Sequence, residues 1–198
     1  MKNECWFNPL GRKKCVGITR DSMSFLKIDM SSEYEIPYGN HVGAFGVERR
    51  FDVHKGVDLY ANQGDPVFAV EPGIVSLIRP FTGLSANSPW WNDTEAVSVA
   101  GRSGIVVYGE LAINSSLRVG DEVVAGTLMG FVKEVLKNDK GRPTAMLHLA
   151  LHDHGVQSNG EWKNGKPCPT GLLDPTMKLI SLCCDDLKNN KIFVEFSK

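Results

Sequence analysis

The sequence predicts an all-β domain with an antiparallel sheet core, and three observations carry that reading. From Val42 onward, short runs rich in Val, Ile and Leu alternate with clusters of Gly, Pro, Asn and Asp, the texture of strands and turns. No stretch of about ten residues shows helical periodicity before the C-terminal part. Successive apolar runs are joined by short turn signals of the kind that pair neighbouring strands as hairpins.

Taken in order, Pro66 to Ile78 (PVFAVEPGIVSLI) reads as two strands about a Glu71-Pro72-Gly73 turn, because Pro presets φ and Gly accepts positive φ. Val97 to Leu111 reads as a hairpin about Gly101-Arg102-Ser103-Gly104. The polar insert between them, Phe81 to Glu95, is long enough to be a functional loop. Its Trp90 and Trp91 are candidates for touching a substrate or, alternatively, for pinning the loop. Leu117 to Val132 predicts two short strands in a compact corner, with turn points at Gly120-Asp121 and Ala125-Gly126. A polar loop over Lys133 to Pro143, an alternating strand over Ala145 to His152 and a loop over Gly155 to Gly171 follow. Leu173 to Leu187 is the helix candidate, with Asp174-Pro175 readable either as its start or as a turn. Residues 1–41, punctuated by Pro9, Gly11, Gly17 and Pro37, predict an irregular extension draped over the domain and placed to cover its cleft. The expected organisation is an extension over 1–41, the β domain over 42–182 and a tail over 183–198.

Composition narrows the function. With 198 residues and 42% hydrophobic content, the chain can bury a core without staples. The 22 Lys and Arg against 23 Asp and Glu give a net charge of -1, which argues against a nucleic-acid footprint and a polybasic membrane anchor and favours a neutral or peptide-like partner. The start, Met1 to Cys15, has no apolar run behind its first lysine, and no stretch approaches the roughly 18 apolar residues of a spanning helix. Neither a signal peptide nor a membrane span is expected. The chain then reads as cytoplasmic as synthesised, with release by lysis or carriage in a phage particle as routes to an outside substrate. Five cysteines, an odd count with no CxxC, fit a reducing compartment.

Three side chains suggest a metal. Val53-His54-Lys55-Gly56-Val57-Asp58 sets an imidazole and a carboxylate four residues apart, both suited to Zn²⁺. A straight strand would hold them about 13 Å apart at 3.3 Å per residue, so a shared ion requires a bend, and Gly56 is where it would sit. In Ala145 to His152, Leu147, Leu149 and Leu151 fall on one face, while Met146, His148, Ala150 and His152 fall on the other and look into a cleft. His148 is thereby a third candidate ligand, and three protein ligands with an open position is the pattern of catalytic zinc.

The stretch Gly43 to Ala61 (GAFGVERRFDVHKGVDLYA), with its FG turn ahead of HxGxD, resembles the lysostaphin-type (LytM-like) metallopeptidases. The likeness continues through Gly64 to Val75, Tyr108-Gly109-Glu110-Leu111 at the place of YxHL, Val119 to Gly126 at VGDxVxxG, and Leu173-Asp174-Pro175, covering about residues 43 to 180 in unbroken order. It implies one Zn²⁺ held by His54, Asp58 and His148, a β-sheet peptidase fold and a peptide or peptidoglycan substrate. Two positions depart from the pattern. Met146 stands where an HxH strand carries a catalytic histidine, and Glu110 replaces the histidine of YxHL. By strand parity Glu110 shares a face with Val106 and Tyr108, away from Ile105, Val107 and Leu111, and points into the cleft. A carboxylate there is a competent general base beside zinc, so Glu110 is the candidate catalytic residue. Tyr108 and His152 are candidates for contacting substrate, His152 sitting toward the rim, whereas His41 and His154 read as surface histidines. Three functions are implied: a zinc endopeptidase acting on peptidoglycan bridges; a catalytically degenerate zinc-binding recognition module, as in the similar leukocyte cell-derived chemotaxins; or a structural piece of a larger protein assembly.

Overall fold

The computed structural model describes residues 6–11, 13–20, 32–156 and 160–182. Its strands, in chain order, are β1 (Lys14–Thr19), β2 (Glu33–Pro37), β3 (Val57–Tyr60), β4 (Pro66–Phe68), β5 (Gly73–Thr82), β6 (Thr94–Gly101), β7 (Gly104–Ile113), β8 (Glu122–Val123), β9 (Leu128–Val132), β10 (Met146–His152) and β11 (Leu172–Leu173). All but the first two belong to one antiparallel sheet, ordered β11-β10-β7-β6-β5-β8, with β3 also on β10, and β9 joining β7 to β4. The predicted antiparallel, all-β architecture is the one observed.

The alternation read in β10 sets the two faces of this sheet. Leu147, Leu149 and Leu151 enter the main core with Val57 and Leu59 of β3 and Val106, Tyr108 and Leu111 of β7. Burying each such leucine stabilises the fold by about 1.5–3 kcal/mol. The opposite face carries His148, Ala150 and His152, with Ala150 packed on Val107, Ala96 and Phe81. The hairpin between β6 and β7 closes at Gly101 to Gly104 as expected. The insert is shorter than its composition implied. Strands β5 and β6 extend to Thr82 and Thr94, whose hydroxyls lie 2.7 Å apart, and only 83–93 remain as a loop with one 3-10 turn at Leu84–Ala86.

The N-terminal extension is more regular than its Pro and Gly punctuation suggested. β1 and β2 pair in parallel, and Trp6, Leu10, Cys15, Tyr34 and Ile36 share the main core with the β10 leucines. These five residues thus pack on the core face of the sheet, and the expected covering of the cleft is not what they do. Trp6 donates its indole N–H toward Glu71 and Ser103 (3.3 and 3.1 Å), and the Phe7 N–H reaches the Val70 carbonyl. Cys15 is disulfide-bonded, against the expectation of reduced cysteines, while Cys168 is free and exposed. At the other end a helix, α1, runs over 176–182, opened by Pro175 and by Asp174, whose Oδ1 accepts the Thr176 N–H at 2.8 Å. Asp174-Pro175 is therefore a helix start. The remainder of the helix candidate and the expected tail, 183–198, lie outside the described residues. Among the described residues no helix is long and apolar enough to cross a membrane.

Because Trp6 fills the main core, Trp6→Ala should lower stability by about 3–5 kcal/mol in a urea titration. A loss below about 1 kcal/mol would show that the extension is not part of the core.

Candidate metal centre and active site

The site is assembled on three adjacent strands. β10 lies between β3 and β7, so His148 is flanked by Asp58 on one side and by Gly109 on the other. Val57 and Leu59 enter the core, which turns Asp58 and Tyr60 to the opposite face, the same face as His148. His54 arrives from the segment before β3. The chain bends at Gly56, and a side chain there would meet the Leu149 carbonyl at 2.6 Å and His148 Nε2 at 2.7 Å. Only a glycine lets this bend lie against the His148 ring. The segment is braced from outside by the 160–171 loop, where the Val53 N–H reaches the Trp162 carbonyl at 2.7 Å and Trp162 packs with Val53, Leu172 and Phe45.

The donors converge. His54 Nε2 lies 3.0 Å from Asp58 Oδ1 and 3.1 Å from His148 Nδ1, and His148 Nδ1 lies 2.9 Å from Asp58 Oδ1. His54 Nδ1 sits 2.9 Å from the Ala44 carbonyl. An N–H donated there leaves a lone pair on Nε2, the tautomer a metal ligand requires. Asp58 Oδ2 accepts from Arg49 Nη2 at 2.6 Å, and Arg49 is itself anchored by two bonds to the Val42 carbonyl. Tetrahedral donors about 2.0–2.2 Å from a zinc ion stand about 3.3–3.6 Å apart. The observed triangle is only a few tenths of an ångström tighter, and its nitrogen and oxygen set suits zinc.

Burial and charge put these groups in the ligand form. Burial works to raise the Asp58 carboxyl but is outweighed by the His54 imidazole, the Arg49 guanidinium and the bonds from both histidines, which hold it well below the usual carboxylate range. Burial pushes His148 down to about 4, against the hydrogen bond and charge of Asp58. At neutral pH it is an uncharged imidazole.

Glu110 reaches this centre by a route that parity does not describe. Val106 and Tyr108 face the core, and Val107 faces the cleft beside Ala150, opposite to the sequence reading. Between Tyr108 and Leu111, β7 carries an extra residue relative to β6, and Glu110 takes φ 67°, a left-handed conformation costly for a non-glycine residue. The bulge returns Leu111 to the core and brings the Glu110 carboxyl under the influence of Asp58, Arg49 and Arg142. Glu110 is 8% exposed, and its Oε2 has no hydrogen-bond partner among the described residues. Burial first, then the Asp58 charge, raise its carboxyl well above the ordinary range, the two arginines opposing them. That direction favours the protonated form of the Glu110 carboxyl.

The other expected residues separate. Tyr108 is wholly buried on the core face, its hydroxyl accepting the Val70 N–H at 2.8 Å, so it cannot touch a ligand in the cleft. His152 shares the His148 face but is buried between Ile105 and Leu172, about 13 Å further along the strand at 3.3 Å per residue. Trp91 leans on the Tyr60, Val135 and Met146 cluster and bridges Leu136, so its contacts are those of a loop anchor. Trp90 is 63% exposed. His154 is exposed as read, whereas His41 is fully buried, its Nδ1 accepting the Gly43 N–H and its ring set edge-on to Tyr60. Sequence reading missed Arg49, whose signal was a buried carboxylate ligand needing an outer cation nearby. It also missed Phe81, whose ring lies 5.2 Å from that of His148 and occupies the space that Gly109 leaves empty.

Two outcomes follow from this geometry. Gly56→Ala should displace His148 and weaken zinc binding about ten- to a hundred-fold, measured by competition with a chromophoric chelator. Unchanged affinity would mean that the bend does not sustain the donor set. Glu110, with a raised native proton affinity, contributes stability that is fully present below the ordinary value of 4.5 and is lost as pH rises through its native value. In chelator the wild type should therefore lose stability with rising pH relative to Glu110→Gln, read from urea midpoints between about pH 5 and 9. Parallel pH profiles would show that Glu110 is not buried as a neutral acid.

No family model matches the sequence, and no curated protein matches it significantly. Solved structures do. The antimicrobial peptidase lysostaphin from Staphylococcus simulans is 23% identical, over 76% of this chain and 51% of that chain, with a TM-score of 0.51. CbpA from L. salivarius REN is 23% identical, over 75% of this chain and 90% of that chain, with a TM-score of 0.50. The chain thus spans about half the length of lysostaphin. With nine antiparallel strands positioning a His-Asp-His cluster, the chain has the fold of the lysostaphin-type, LytM-like peptidases.

Proposed function

We propose that this domain is a zinc metallopeptidase directed at the peptide bridges of peptidoglycan, with His54, Asp58 and His148 as ligands of one Zn²⁺ and Glu110 as the proton acceptor. The observation that carries this reading is a buried carboxyl oxygen without a partner among the described residues, on a strained bulge next to the residue paired with His148 and close enough to Asp58 to feel its charge. A residue held in a costly conformation with an unsatisfied polar atom is what a built active site looks like, because folding alone would remove both. Lysostaphin, which shares the fold, is a peptidase.

Each residue has a definable task. His54 and His148 present ring nitrogens, and Asp58 supplies the negative charge while Arg49 holds its outer oxygen. Zinc at these donors would supply Lewis acidity toward the scissile carbonyl and toward water. Glu110 takes the proton of the attacking water and passes it to the leaving amine, a role a carboxyl can fill once its charged form is allowed. That ionisation is favoured as positive charge offsets Asp58. Phe81 walls the cleft beside His148 and limits water.

A second reading, a catalytically degenerate zinc-binding module for recognition or assembly, is favoured by Met146. Its side chain is buried with Tyr60 and Val135 and offers no proton. Losing one preorganised donor costs about 10² to 10³ in rate, so the predicted enzyme is slow.

Zinc-loaded wild type should release soluble peptide from purified peptidoglycan, and Glu110→Gln at equal zinc content should lose at least about 10²-fold of that rate, the scale of a general base. If both proteins hold one zinc and neither releases peptide, the domain is a binding module.

A further inference from the structure

Beside the metal centre, on the far side of Arg49, a cavity of about 430 Å³ is lined by Arg49, Arg50, Lys140 and Arg142 together with Glu48 and Asp52. Its volume falls within the range of small-ligand sites, about 300–1,000 Å³. The chain as a whole is nearly neutral, so four cations around one cavity are a local concentration. Glu48 and Asp52 offset two of these charges and Asp58 engages one terminal nitrogen of Arg49, which leaves the lining with more cations than carboxylates. Arg142 Nε is buried without a hydrogen-bond partner among the described residues, a donor whose desolvation nothing repays. Arg50 stacks on Phe51 and Lys140 lies 4.5 Å from the centre of the Trp91 ring, so both long side chains are steered by aromatic faces.

We propose that this cavity is a subsite for a carboxylate of the bound peptide, either an acidic side chain or a free C-terminus. Guanidinium groups donate in pairs to carboxylate oxygens, and Arg142 has a donor to spare. Arg49 belongs to both sites, its Nη2 on Asp58 and its side chain in the cavity wall, so an anion seated there lies one residue from the reacting centre. The proposal rests on the reading of the cleft as a peptide site and adds the class of peptide it prefers, one carrying negative charge.

The test measures binding in chelator-treated, metal-free protein, so that it stands apart from zinc and from hydrolysis. Two probe pairs are compared by calorimetry: acetyl-Gly-Gly-Glu-amide against acetyl-Gly-Gly-Gln-amide, and acetyl-Gly-Gly-Gly as free acid against its amide. The charged member of at least one pair should bind about tenfold more tightly, and the pair that shows it distinguishes a side chain from a terminus. Arg142→Gln with Lys140→Gln should reduce that preference to under about twofold, and salt should weaken it in the wild type. Equal binding within both pairs, or a preference that survives the double substitution, overturns the subsite.

Discussion

The Asp58 carboxylate is the hub on which the site depends. One of its oxygens stands within 3.0 Å of both histidine nitrogens, and the other is held by Arg49. It can do this because cross-strand pairing sets Asp58 opposite His148, while the bend at Gly56 brings His54 back over both. The two short-range devices are independent in sequence and meet in one atom. Without Asp58 the site would keep two buried imidazoles beside an arginine that has lost its ion-pair partner.

Around that hub the sheet divides its labour by face. Leucines and valines of β3, β7 and β10 fix the strands in register from the core side, and register decides which side chains meet on the other side. The one place where the alternation breaks is Glu110. An extra residue in β7 and a positive φ cost the fold free energy, on the order of 1–3 kcal/mol for such a conformation. The sheet on either side over-determines the bulge, with Leu111 paired to both Glu95 and Val132. Local strain is thereby carried by the regular strands that flank it.

These two devices differ in how legible they were in the sequence. The convergence of His54, Asp58 and His148 could be read because its signals are local: HxGxD within five residues, and a leucine alternation that fixes the face of His148. The hairpin about Gly101 to Gly104 was legible for the same reason. Strand parity failed for Glu110 and Tyr108, since one inserted residue inverts every assignment on one side of it, and nothing in Tyr108-Gly109-Glu110-Leu111 announces a bulge. The parallel pairing of β1 with β2 was hidden because it joins segments more than ten residues apart with no turn signal between them. Arg49 and Phe81 act through tertiary contacts, which a single chain does not display, and the buried state of His41 is of the same kind.

A carboxyl rather than an imidazole at position 110 sets the electrostatics of the centre. A neutral imidazole beside Asp58 adds no charge. A carboxyl in the same place must share a buried site with a carboxylate that Arg49 and two histidines hold well below the usual range, so burial and that charge raise its proton affinity. Arg49 and Arg142 supply part of that charge, and they are also the cations that wall the adjoining cavity. The arginines are therefore shared between two anions, the Glu110 carboxylate and any carboxylate in the cavity. On the proposed reading, an anion in the cavity would compete with Glu110 for their field. A charged peptide would then bind more firmly and, at the same time, make its base harder to ionise, a coupling that a histidine at this position would not impose.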